Sequence, residues 1–158
     1  MHRLNGSSLL IPRYKRLYPA AQLREGRFWI TVLYMENEQQ NLVVVVDDEA
    51  PVRAAVSRML KAAGLTVRSF ASAEDLLKSG QIDGTGCLIA DIRMPGMSGL
   101  DLLLQLNARH CPVPTILITA HGDEDLRMEA MRAGAVKFLA KPVDGKSLLA
   151  SVKAALQL

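Results

Sequence analysis

Past Asn41 the chain alternates, five times over, between a short apolar run and a stretch with helical spacing. LVVVV (42–46) is a continuous β-branched run, the pattern of a strand buried on both faces. LTVRSF (65–70), CLIA (87–90), PTILIT (114–119) and VKFLA (136–140) are the remaining predicted strands. Between them, Pro51 suits a first helical turn, with Val52, Val56, Met59, Leu60 and Ala63 on one face and Gly64 at the end. Ser72 with Asp75 starts a short helix carrying Leu76 and Leu77. Ser98 caps a helix expected to turn Leu100, Leu103 and Leu104 inward. Asp123, Glu124 and Asp125 favour a helix N-terminus that Gly134 closes downstream, and Leu148, Leu149, Val152 and Leu156 form the stripe of the last helix. Right-handed crossovers then place helices on both faces of a five-stranded parallel sheet, an α/β doubly wound fold.

Chemistry collects at the ends of these runs. Asp47-Asp48-Glu49 follows the first strand, Asp91 the third, Thr119 the fourth and Lys141-Pro142 the fifth. In an open parallel sheet these C-terminal ends share one edge, where ligands bind at the topological switch point. Crowded carboxylates raise one another's pKa unless cations intervene. Hard oxygen ligands suit Mg²⁺, which takes one or two carboxylates and keeps several waters. Asp91 is then free for another task, since a carboxylate is a nucleophile towards phosphorus. Lys141 and the Thr119 hydroxyl would neutralise phosphoryl oxygens, and the Pro95-Gly96 turn would fix the loop and offer a carbonyl to the metal. Singly, each residue reads as an ordinary cap, turn or solvated side chain. Together, at the matching strand ends, they are hard to explain as accidents.

The isoelectric point near 9.0 does not describe this region. Residues 1–34 hold six of the 19 Lys/Arg and one of the 16 acids, which leaves 13 basic and 15 acidic residues from Met35 onward. Five of the seven aromatics also lie in 1–34. Two readings of that segment stay open: a basic, aromatic tail for a membrane surface or nucleic acid, or a non-native or disordered extension upstream of a start at Met35. The second is preferred, with residues 35–158 as the main domain. Cys87 and Cys111 lack CxxC spacing, so both are expected reduced, one of them filling the core of a cytoplasmic protein. His110 beside Cys111 has no matching pair that would make a metal site. No run of 18 apolar residues is long enough for a membrane helix, and the N-terminus lacks the apolar stretch of a signal peptide.

VVVVDDE, LIADIRMPGMSG, ILITA and FLAKPV, in that order, resemble the receiver domain of two-component response regulators over about residues 40–158. The resemblance implies a flavodoxin-like sheet of order 2-1-3-4-5. It also implies that Asp91 is the phosphoacceptor, with Asp48 a direct Mg²⁺ ligand beside it. Asp47 would act mostly through water, and the Arg93 carbonyl would be a third ligand. Lys141 would contact the phosphoryl group, its bond to Pro142 being cis. Thr119 and Phe138 would be the switch hydroxyl and switch aromatic. Arg93 and His121 occupy positions where the family varies its rate of self-dephosphorylation. Neither is an evident water activator, so a phosphoryl lifetime beyond seconds is expected.

PVRAAVSRMLKAAG, SFASAEDLL and ITAHGD are most similar to the FixJ-like subgroup, whose full-length members add a LuxR-type DNA-binding domain. The chain as given ends at the fifth helix, so no direct nucleic-acid binding is expected of it. A histidine kinase is the implied partner, with a homodimer through helix 4, strand 5 and helix 5 as a further possibility. The expected protein is a phosphorylation-controlled signalling module, not a turnover enzyme. An aspartyl-phosphate phosphohydrolase would need a second acid where Arg93 stands. A never-phosphorylated relative would be expected to lack Asp48, Asp91 or Lys141. The strongest competitor is the receiver of a longer DNA-binding regulator, which shares the mechanism and differs in output.

Overall fold

A computed structural model describes residues 41–122 and 124–158. The expected extension 1–34, the start at Met35 and Asp123 lie outside the described residues. Among the described residues, five strands alternate with five helices: β1 (Leu42–Val46), α1 (Ala50–Ala62), β2 (Thr66–Phe70), α2 (Ala73–Ser79), β3 (Cys87–Asp91), α3 (Gly99–Ala108), β4 (Thr115–Thr119), α4 (Glu124–Arg132), β5 (Lys137–Ala140) and α5 (Gly145–Leu156). All four strand pairings are parallel, in the order β2-β1-β3-β4-β5. Both the fold class and the strand order agree with the expectation.

Alternation along the central strands sorts their side chains into two cores. Val44, Val46, Leu88, Ala90 and Leu117 pack with Leu76 of α2, Leu102, Leu103 and Leu106 of α3 and Ala130 of α4. Val43, Val45, Ile89, Ile116 and Ile118 point the other way and pack with Leu60 of α1 and Leu148, Val152 and Leu156 of α5. Every residue of β1, β3 and β4 is buried, so these strands need apolar side chains on both faces. The edge strands β2 and β5 are partly exposed, and their charged residues Arg68 and Lys137 face solvent. Cys87 belongs to the second core, where burial pushes its thiol up to about 12, so it stays protonated and unreactive.

Local signals set the helix ends. Pro51 stands in the first turn of α1, and Gly64 takes φ +84° just past its end. Ser72 accepts from the Asp75 amide at 3.1 Å. At α3, Ser98 accepts from the Asp101 amide while the Asp101 carboxylate accepts from the Ser98 amide, a full capping box. Two inward assignments fail. Leu104 is 48% exposed, while Leu102 and Leu106 are buried in its stead. In GLDLLLQL two helical faces are equally rich in leucine, and packing chose the one through Gly99, Leu102, Leu103 and Leu106. Ala63 is exposed because it caps α1 beyond the packed face.

Candidate functional site

The site grows from the C-terminal ends of β1, β3 and β5. β1 delivers Asp47 into a buried position, with Asp48 and Glu49 exposed just behind it. A backbone amide and an arginine side chain hold Asp47 on two sides. Its Oδ1 accepts from the Glu49 amide at 2.8 Å, and its carbonyl accepts from Arg53 Nη1 at 2.7 Å. Asp91 ends β3, 5% exposed, and its Oδ1 accepts from the Arg93 amide at 2.9 Å. One carboxylate oxygen each from Asp47, Asp48 and Asp91 lies within 4.8 Å of the other two.

Lys141 reaches this group from just past the end of β5, and its peptide bond to Pro142 is cis. Its Nζ is 2.6 Å from Asp91 Oδ2, 3.1 Å from Asp47 Oδ2 and 3.1 Å from Glu49 Oε1. Burial works to lower its pKa, but the hydrogen bonds to Asp91, Glu49 and Asp47 outweigh that and hold it above the ordinary lysine value. At Asp47 burial wins instead. The carboxyl is raised above its usual range against the pull of the Glu49 amide and Lys141, with Asp91 adding repulsion. One ammonium among four carboxylates leaves the pocket strongly negative. These are hard oxygens, close enough together to share one small divalent cation with little movement, so the donor set fits Mg²⁺.

Thr119 is fully buried at the end of β4, but its hydroxyl is turned to its own loop, paired with the His121 carbonyl and amide at 3.3 Å each. Phe138 is half-buried, and its ring and the Thr119 methyl flank Gly122. A Cβ at Gly122 would sit 2.7 Å from the Phe138 ring and 2.9 Å from Thr119 Cγ2, so a larger residue there would force one of these side chains to shift. The Arg93 side chain is exposed. The structure thus brings Asp47, Asp48, Asp91 and Lys141 together and keeps the Thr119 hydroxyl engaged elsewhere.

Sequence reasoning placed Glu49 at the edge but missed its ion pair with Lys141, and it missed Arg53 altogether. It also missed Gly99, where a Cβ would stand 2.9 Å from the Asp91 carbonyl carbon. The signal for Glu49 was available in the acid triplet after β1. Close approach to glycine leaves none.

A five-stranded 2-1-3-4-5 sheet with an acid cluster and a lysine at its switch point defines a class. The chain belongs to the response regulator receiver domain family, which matches residues 43–153. It is thus the receiver domain of a two-component response regulator. Over 114 residues it is 44% identical to the transcriptional regulatory protein FixJ of Azorhizobium caulinodans, covering 72% of this chain and 54% of that protein. Nodulation protein W of Bradyrhizobium diazoefficiens is 39% identical over 122 residues, covering 77% and 54%. The crystal structure of FixJ-N superposes with a TM-score of 0.67 at 38% identity, covering 73% of this chain and 93% of that one. The response regulator StyR gives 0.69 at 42%, covering 73% and 59%. The chain spans about half the length of the curated relatives it matches. Among the described residues no helix is long and apolar enough to cross a membrane.

Proposed function

We propose that this domain is phosphorylated on Asp91 by a partner histidine kinase and that the modification switches its α4–β5–α5 surface. The observation that carries the reading is the contact of Lys141 with Asp91 beside Asp47 and Asp48. Asp47, Asp48, Asp91 and the Arg93 carbonyl would hold Mg²⁺, which when bound neutralises phosphoryl oxygens. A carboxylate oxygen of Asp91 attacks phosphorus, the bond to the donor imidazole breaks, and the imidazole leaves with its electron pair. Lys141 shifts its ammonium from the carboxylate to a phosphoryl oxygen. Thr119 exchanges its His121 partners for the phosphoryl group, and Phe138 follows into the space released. The domain supplies chemistry to its own modification and acts as a signalling module.

Incubation with acetyl phosphate and Mg²⁺, read by intact mass, tests this. Wild type should gain one phosphoryl group and Asp91→Ala none. Uptake by both proteins, or by neither, overturns the reading. A transcriptional output is the second reading, favoured by the names of the relatives and by the share of their length that this chain spans. Sequencing the reading frame past Leu158 tests it: a helix-turn-helix there supports it, and a stop codon opposes it.

A further inference from the structure

Asp91 and α3 are joined by the loop 92–98, and its ends are tied down locally. The Ile92 amide donates to the Ile118 carbonyl at 2.8 Å, the Arg93 amide to Asp91 Oδ1, and the Gly99 amide to the Ile92 carbonyl at 3.3 Å. Between them, among the described residues, a single hydrogen bond joins the backbone of Met94–Met97 to the rest of the protein. The Met97 amide donates to Glu74 Oε1 at 2.7 Å, across 23 residues of sequence. Glu74 belongs to the first turn of α2 and is half-buried. Gly96 makes the contact possible. Its φ of +77° turns the loop, and a Cβ there would collide with the Glu74 carboxylate.

We propose that Glu74 is a positioning residue for the phosphoryl-transfer site. Its carboxylate anchors the loop at Met97, and so fixes the course of the chain from Arg93, whose carbonyl would face the metal and whose amide orients Asp91. The inference rests on the reading of Asp91 and its metal given above. Groups that orient ligands in this way typically change metal affinity by about 10–100-fold when lost.

The test is Mg²⁺ affinity by calorimetry on the full chain, for wild type, Glu74→Gln, Glu74→Asp and Glu74→Ala. Metal-free unfolding is recorded alongside. Glutamine keeps an acceptor oxygen at the same reach and should bind within about twofold of wild type. Aspartate falls short of the Met97 amide and, like alanine, should bind at least about tenfold more weakly. Aspartate carries the test if the alanine protein does not fold. Wild-type affinity in Glu74→Asp overturns the inference, even if unfolding shifts, because the contact is then structural only. Equal losses in Glu74→Gln and Glu74→Asp overturn it too, since charge and not the hydrogen bond would matter. Wild type that binds no Mg²⁺ sinks both this inference and the reading it rests on.

Discussion

Lys141 Nζ and Asp91 Oδ2, fifty residues apart in the chain, meet at 2.6 Å with the lysine side chain 14% exposed and the aspartate 5%. Lys141 also holds Asp47, so removing its charge strands two buried carboxylates. Lys141→Met should lower stability by about 3 kcal/mol at neutral pH, the usual cost of leaving a buried ion unpaired. Glu49→Gln, at a side chain that is 58% exposed, should cost less than about 1 kcal/mol. Urea unfolding of the metal-free proteins checks both.

The alkaline limb of stability carries the same signature. Because the folded pKa of Lys141 lies above the ordinary 10.5, its contribution is complete below that pH and is lost only as pH climbs through the raised value. The stability gap between wild type and Lys141→Met should therefore stay level from neutrality to about pH 10 and narrow above it. A gap that closes already near pH 8 would contradict the pairing.

Asp48 is the exposed acid of the cluster and has no hydrogen bond given to its carboxylate among the described residues. Without metal, Asp48→Asn should raise stability by about 1 kcal/mol, the repulsion of like charges about 4 Å apart in a water-like medium. Asp91→Asn also loses the Lys141 pair and is the poorer probe. Mg²⁺ at about 100 times its Kd should stabilise wild type by about 2.7 kcal/mol and Asp48→Asn far less. Thermal melts with and without Mg²⁺ give both values.

Gly99 and Gly122 are predicted to be intolerant for different reasons. Gly99→Ala forces a methyl against the Asp91 backbone and should cost about 1–3 kcal/mol, with slower phosphoryl uptake. Gly122→Ala leaves no room for the Phe138 ring where it stands. It should move the ring resonances of Phe138 in the absence of any phosphodonor, an outcome NMR reads directly.

Much of the framework was legible because burial on both faces writes itself into sequence as unbroken β-branched runs, as in Leu42–Val46. Caps were legible too, since Ser72 and Ser98 act within three residues of themselves. The edge location of Asp47, Asp48, Asp91 and Lys141 followed from strand ends sharing one side of a parallel sheet. What escaped were contacts with no period. Glu74 reaches a backbone amide 23 residues away, and Glu49 a lysine 92 residues away. In α3 the signal was present but degenerate, with five leucines among eight residues offering two faces.

The most direct measurement locates the modification itself. After acetyl phosphate and Mg²⁺, borohydride reduction and peptide mapping should mark residue 91 in wild type, with the mark lost in Asp91→Ala. On the proposed function, a single carboxylate of the pocket formed at three strand ends accepts phosphorus. A mark on Asp47, Asp48 or any other residue, or none at all, would contradict that.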